Sequence, residues 1–327
     1  HTRSSAASDV YKRQFKIPPL NKKLKSLWTF FMKSKLRNSL QKNKFVFTAE
    51  TSPPDSGNKD TVIDQVKCLK NLADAVNVTD GAGAKSHMSA LATAAILAQH
   101  EIEPVLQFTT RDRNRIAIQG DLLGGWALNV PNILCLYGDE VKGGDQPEAK
   151  EVRDLDTISL LKTAHDIKIN QSYPSGRKID DAPNFFIGGA DTPFEVKDDF
   201  DAANLVKKIN SGVEFFQTQY AFDEIILKNY MLKLNKLGVT DKAYFIIGLG
   251  VIKSAKSARW MNKNLFGINI PEQIINRIEN SNNEKLEGIK ICVELIERYK
   301  LISGVSGIHL MGYKQEQDIA SVISNFK

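Results

Sequence analysis

The chain has 327 residues, 42% hydrophobic and 25% charged, with 44 Lys and Arg against 38 Asp and Glu. That composition excludes a disordered, collagenous or disulfide-scaffold protein, and no stretch approaches the ~20 consecutive apolar residues of a membrane-spanning helix. The net charge of +6 would suit a nucleic-acid binder, but residues 1–44 carry twelve Lys/Arg and one acid, or +11, which leaves 32 basic against 37 acidic residues, or −5, for the rest. The body of the chain is mildly acidic, and no nucleic-acid partner is expected.

Residues 1–34 read as a basic leader and 35–327 as a single domain. The opening HTRSSAASDVYKRQ has no apolar periodicity and is set aside from fold reasoning. Residues 20–42 read as a basic amphipathic helix with Leu20, Leu24, Leu27, Phe30 and Phe31 on one side. A role as an N-terminal helix covering one end of the domain outweighs membrane-surface binding or targeting. No apolar secretory core precedes it, so a cytoplasmic location without membrane association is expected.

From residue 45 one pattern repeats: a short β-branched or aromatic run, a polar break, then a helical stretch. The apolar runs are FVFTAET (45–51), AVNVTD (75–80), PVLQFTT (104–110), NILCLYGD (132–139), FFIGGAD (185–191), FFQTQYAF (215–222), AYFIIGLG (243–250) and GIHLMGY (307–313). Helical stretches fall at 60–72, 86–100, 113–129, 155–167, 201–211, 223–238 and 284–300. Eight such units in one domain predict an α/β fold of the (β/α)8 TIM-barrel type with an additional N-terminal helix. A doubly wound sheet also alternates, but its phosphate loop should follow the first strand, where this chain has Glu-Thr-Ser-Pro-Pro.

Cys68, Cys135 and Cys292 are single and widely spaced, as expected of structural thiols in a reducing compartment. The five histidines form no ligand-spaced cluster, so no metal is expected.

In a barrel, function lies beyond the C-terminal ends of the strands. Here those ends carry Glu50, Thr79, Asp80, Gln107, Thr109, Gly138, Asp139, Gly189, Asp191, Gln219, Gly248 and Gly250. A polar residue at nearly every end points to a pocket for a polar, extended ligand. Glu50 precedes Pro53-Pro54, which restrict the backbone, and a carboxylate held beside an apolar barrel top suits a general acid; a strand-terminal Glu paired with a base is the alternative. Gly138-Asp139 would let a flat ligand approach while supplying a fixed charge, or is simply a turn. Gln219, an amide ending a buried-looking strand, needs partners that a substrate could provide. Gly81-Ala-Gly83 and Gly248-Leu-Gly250 are incomplete as dinucleotide fingerprints and serve equally as tight loops. Arg111, Arg113 and Arg115 would clamp an anion or pair with neighbouring acids. Asp201, Asn204 and Lys208 share one helix face, as exposed residues also do.

Together these segments resemble methylenetetrahydrofolate reductase, a flavin-dependent barrel family. The similarity rests on LRNSLQKNKFVFTAETSPP, VNVTDGAGAKSHMS, LQFTTRDRNRIAIQGDLLGGWALNVPNILCLYGD, KGGDQPEAKEVRDLD, DAANLVKKINSGVEFFQTQYAFD, IIGLGVIKSAKSARWM and GIHLMGY. It implies FAD bound by a barrel and hydride passing from NAD(P)H to FAD to 5,10-methylenetetrahydrofolate, giving 5-methyltetrahydrofolate. By the same resemblance Glu50 matches the acid that helps open the folate ring. Asp139 matches the aspartate beside flavin and folate, and Gln219 a contact to folate and nicotinamide. Thr79, Gln107, Thr109, Gly138, Asp139, Asn204 and Lys208 match FAD contacts, Lys208 at the diphosphate, with Asp201 a weaker match. The chain departs from the family pattern in Ala-Glu-Thr-Ser-Pro-Pro around Glu50, in Gln107 where a His is common, and in Ala255 where some members present a Phe. These departures leave NADH, NADPH or a partner protein as the electron donor, and a homo-oligomer is a separate expectation.

Overall fold

Strands buried on both faces need near-continuous apolar runs, and the eight runs supply them. In the computed structural model, which describes residues 34–327, they form a closed parallel barrel in chain order. The strands are β1 (Val46–Thr51), β2 (Ala75–Val78), β3 (Pro104–Thr109), β4 (Asn132–Leu136), β5 (Phe186–Asp191), β6 (Phe215–Tyr220), β7 (Tyr244–Leu249) and β8 (Val305–Leu310). β1 pairs β2 from Thr48↔Ala75 to Thr51↔Val78 and β8 from Val46↔Gly307 to Ala49↔Leu310. Closure leaves no sheet edge and excludes the doubly wound alternative.

The helices are α1 (Lys35–Gln41), α2 (Lys59–Val66), α3 (Ala90–Gln99), α4 (Arg115–Ala127), α5 (Thr157–Asn170), α6 (Ala203–Asn210), α7 (Glu224–Lys236), α8 (Ala255–Asn264), α9 (Glu272–Glu279), α10 (Glu284–Tyr299) and α11 (Glu316–Ile323). Periodicity missed α8, α9 and α11. α8 buries only Ala255 and Ala258, and α9 only Ile275 and Ile278, so neither shows a sustained apolar stripe. Their starts are still marked: α8 begins with a capping box between Ser254 and Ser257, and α9 follows Pro271.

Apolar packing divides into two clusters. The larger fills the shell between strands and helices, with Phe108, Ile133, Phe216, Leu227 and Ile296 among its members. The smaller lies inside the barrel at its lower end, where Val46, Val105, Leu134, Phe186, Phe215 and Ile246 meet Leu36 and Leu40 of α1. Helix α1 therefore plugs the end of the barrel opposite the C-terminal strand ends; the rest of the segment read as helix 20–42, up to residue 33, lies outside the described residues.

Its attachment is polar as well as apolar. Ser34 caps the helix by accepting from the Arg37 amide at 2.8 Å, and the Glu103 carboxylate accepts from the Lys35 and Leu36 amides at 2.8 and 2.9 Å. Burial pushes the Glu103 carboxyl up, while bonds from Leu36, Asn132, Lys35 and Ser34 oppose that push. Arg37 pairs with Glu214 at 3.1 Å and lies 5.0 Å above the Phe186 ring.

Burial also decides the thiols. Cys135 and Cys292 are buried and pushed up to about 12, and half-buried Cys68 is raised by burial as well. Two outcomes follow. Leu40→Ala, at a site 1% exposed, should cost about 2–5 kcal/mol in urea unfolding, and a loss well below 1 would show that α1 is not part of the cooperative core. A thiol reagent at mildly alkaline pH should modify Cys68 first and the other two only with denaturant; modification of Cys135 as fast as Cys68 would contradict the packing.

Candidate active site

Alternation along the strands turns Glu50, Thr79, Gln107 and Thr109 toward the barrel interior or mouth, and puts further polar residues one pleat deeper. Glu50 is the centre of the upper layer. Its Oε2 accepts from Gln107 Nε2 at 2.9 Å, so β1 and β3 are bridged over β2, and His309 Nε2 on β8 lies 3.7 Å from the same oxygen. The Glu50 side chain keeps 22% exposure, enough to meet a ligand, whereas the His309 ring keeps 3%.

Below it, Asn77 Nδ2 donates to Gln217 Oε1 at 2.6 Å and Gln217 Nε2 donates to Asn77 Oδ1 at 2.9 Å. Gln217 Nε2 also reaches Thr48 Oγ1 at 3.0 Å, and Thr48 Oγ1 lies 2.9 Å from His309 Nδ1. Sequence reading missed this layer of Thr48, Asn77, Gln217 and His309. For two of them the signal was present, since Thr48 and Asn77 stand two residues before Glu50 and Thr79 and so point the same way.

Gln219 owes its position to a bulge, where the β6–β7 register shifts between Gln217 and Tyr220. Thr218 repairs the ladder by accepting from the Gly248 amide at 2.8 Å and donating to the Gln219 carbonyl at 2.8 Å. Gln219 Oε1 accepts from the Tyr220 amide at 3.0 Å, so its amide nitrogen is the end turned to other partners.

A second group joins the loops after β2, β3 and β4. Asp80 accepts from the Thr109 amide and hydroxyl at 2.9 Å each and pairs with Arg113. Asp139 accepts from the Gly83 amide at 2.8 Å. Gly138 has φ +88°, and a Cβ there would lie 3.1 Å from Thr109 and 3.2 Å from Arg111, so a turn and close packing both require glycine. That turn stops β4 at Leu136, short of the run read from sequence. Gly81 and Gly83 are likewise left-handed, at φ +59° and +64°, and make a tight loop.

The three arginines are spent on protein. Arg111 is buried on Asp112 at 2.7 and 2.8 Å and on the Gly81 carbonyl at 3.1 Å. Arg113 takes Asp80 and Asp121, and Arg115 grips Asp154 at 2.7 and 2.8 Å. Pairing with Asp112 is found for Arg111, but as a buried pair rather than a solvated helix start, and all three guanidinium groups are occupied by protein carboxylates. Arg153, unforeseen, donates to the Tyr137 carbonyl at 2.9 Å and the Gly138 and Asp139 carbonyls at 3.3 Å, and so supports the Asp139 turn.

On α6 the three residues separate. Asp201 accepts from the Ala203 amide at 2.9 Å, a local turn at the helix start, and Asn204 is exposed. Lys208 reaches back to the Ala190 carbonyl at 2.5 Å, at the end of β5. Burial pushes the Lys208 ammonium down, with Asp191 opposing, and burial pushes the Asp191 carboxyl up against the hydrogen bond from Tyr230.

A family model described as methylenetetrahydrofolate reductase matches residues 35–327. The chain belongs to the methylenetetrahydrofolate reductase family. Folate-related oxidoreductase chemistry and a barrel enzyme follow from that membership. No curated protein sequence matches the chain. Among solved structures, a Clostridium thermocellum protein that binds two copies of 5-methyl-5,6,7,8-tetrahydrofolic acid is 15% identical, with a TM-score of 0.61 over 89% of this chain and 98% of that one. An F420-dependent secondary alcohol dehydrogenase in complex with an F420–acetone adduct is 12% identical, with a TM-score of 0.53 over 87% of this chain and 99% of that one. At such identities the likeness is one of fold. In this family member no described helix is long and apolar enough to cross a membrane.

The support of the Asp139 turn is open to test. The Glu151 carboxyl is held down at about 2, chiefly by the Arg153 guanidinium, with the Val141 amide adding. A depressed carboxylate stabilises the fold above its ordinary value near ~4.3, and that contribution is lost as pH falls toward about 2. Arg153→Met should speed exchange of the Val141 amide about tenfold or more at neutral pH. In wild type the same protection, taken relative to the intrinsic exchange rate at each pH, should be lost only as pH falls toward about 2; unchanged protection in the variant would remove Arg153 from this role.

Proposed function

We propose that this chain reduces 5,10-methylenetetrahydrofolate to 5-methyltetrahydrofolate with FAD and NAD(P)H, Glu50 acting as general acid. The observation that carries the reading is Glu50 itself. It is a half-buried carboxyl at the mouth of a barrel of this family, with one oxygen held by Gln107 and the other without a protein partner among the described residues. Folate binding by the C. thermocellum barrel supports a folate at this mouth, and F420 in the dehydrogenase supports a flavin-like group.

The residues present fit FAD. Thr79 Oγ1 at the end of β2 is buried without a partner among the described residues, a deficit that a bound acceptor would satisfy. Asn204 and Lys208 stand one turn apart on α6 beside the end of β5, with Lys208 supplying a cation for the diphosphate. Thr109 packs beside Gly138, with Asp139 next in the same turn, while Gln107 on the strand of Thr109 holds Glu50 and Asp201 orders the start of α6. When bound, FAD would supply the hydride carrier between nicotinamide and the folate methylene carbon.

The protein groups then divide the remaining work. Glu50 delivers a proton to the folate amine as the five-membered ring opens to the iminium, and Gln107 holds the carboxylate left behind. Asp139, fixed through the Gly83 amide, keeps a negative charge at the rim that favours hydride release over retention. Gln219 offers N–H donors, because its carbonyl is taken by Tyr220. The same donors serve folate and nicotinamide in turn.

The purified protein should be yellow or become so with added FAD. NADH or NADPH should bleach it without oxygen, and methylenetetrahydrofolate should restore the colour. A protein that stays colourless with FAD overturns the reading. Glu50→Gln should keep reduction by the nicotinamide while slowing the folate half-reaction about 100-fold or more, the range of a lost general acid. Equal loss in both halves would remove Glu50 from that role.

A second reading is a flavin- and folate-binding subunit that receives electrons from another protein rather than from a nicotinamide. It is favoured by Ala255, which is 3% exposed in the first turn of α8 and offers no ring for a nicotinamide. Turnover of the isolated chain with NADH or NADPH excludes it.

A further inference from the structure

The polar layer beneath Glu50 takes no part in the reaction as described above, yet its donors and acceptors are constrained. Asn77 and Gln217 exchange two amide hydrogen bonds, which uses one of the two Gln217 Nε2 hydrogens. The second points to Thr48 Oγ1 at 3.0 Å, with His309 Nδ1 farther off at 3.3 Å. Thr48, accepting there, has a single proton left, and its remaining neighbour is His309 Nδ1 at 2.9 Å. Nδ1 is then an acceptor, and the ring proton belongs on Nε2, the atom 3.7 Å from Glu50 Oε2.

We infer that His309 is a positioning residue for Glu50: the Asn77–Gln217–Thr48 chain holds its ring as the Nε2–H tautomer, with that N–H aimed at the carboxylate oxygen that Gln107 also holds. Two donors on Oε2 leave Oε1 as the oxygen that carries and delivers the proton. At 3.7 Å the contact exceeds hydrogen-bond length, and it shortens as negative charge forms on Glu50. The deprotonated acid is stabilised at the moment it appears, by groups already buried and oriented. Tyr220 on β6 also acts on this carboxyl; it is pushed up by burial with the Glu50 charge adding, so its phenol stays neutral. β2 and β3 carry no titratable side chain.

This inference rests on the reading of Glu50 as the acid, but its first test does not. Nitrogen-15 spectra of histidine-labelled full-length protein, without ligands, should show His309 with a protonated Nε2 and a bare Nδ1 at neutral pH. Thr48→Val combined with Gln217→Leu, which removes both donors within reach of Nδ1, should abolish that single-tautomer pattern. A wild-type ring protonated on Nδ1, or one unaffected by the double substitution in a folded protein, overturns the inference whatever the protein's activity.

The second test uses half-reactions of the flavin-loaded protein. His309→Asn can replace Nδ1 but not Nε2, whereas His309→Gln places an N–H near the Nε2 position. The rate ratio of the folate to the nicotinamide half-reaction should fall ~10- to 100-fold in His309→Asn, the worth of one hydrogen bond to a charged group. The alkaline limb of its folate half-reaction should move to higher pH, because an acid whose anion is less stabilised holds its proton longer. His309→Gln should recover most of both effects. Equal losses in Asn and Gln variants with an unmoved pH limb would reduce His309 to packing. Absence of any flavin or folate chemistry in wild type would defeat the functional proposal alone, and the tautomer would still be decided by the spectra.

Discussion

Closure of β1 onto β8, with Thr48 opposite His309, is the constraint on which the site depends. Parallel pairing fixes register, and the two-residue period then decides which side chains enter the barrel. A slip of β1 by one residue along this seam would turn Glu50 and Thr48 into the shell of helices, away from Gln107 and His309. The same seam lets residues 261 positions apart share a hydrogen bond. Fold closure and site assembly are therefore one event.

The barrel interior grades from apolar to polar along its axis. Leu36 and Leu40 seal a layer of aliphatic and aromatic side chains at the lower end, and the amide and hydroxyl layer begins one pleat above it. Buried polar groups cost stability unless each is paired, and here they pair mainly with one another. An exposed mouth above a mutually paired layer gives Glu50 access to ligand on one side and fixed donors on the other.

Charge is used differently at the rim. Arg111, Arg113, Arg115 and Arg153 each meet an acid or a backbone carbonyl, so the motif richest in cations is a brace for the loops after β2, β3 and β4. Lys208, beside the end of the next strand β5, meets a carbonyl and, among the described residues, no carboxylate at ion-pair distance. That asymmetry distinguishes structural cations from one able to face an anion.

Composition and alternation alone determined the fold class, the eight strands, their order of appearance and the polar residues at their ends, because a doubly buried strand must be apolar and a pleat must alternate. Glu50, Gln107 and Thr109 were thus identifiable as mouth residues from spacing. Helices α8 and α9 were not, since short helices with two buried residues leave no stripe. Nor could spacing reveal that Gln107 bonds Glu50, that Asp201 closes a local turn, or that the arginines are paired with Asp112, Asp80 and Asp154. Those outcomes depend on which loops meet across the barrel mouth. His309 shows the division most plainly: its sequence places it on a strand, facing in, but only closure brings Thr48 to one ring nitrogen and Glu50 near the other.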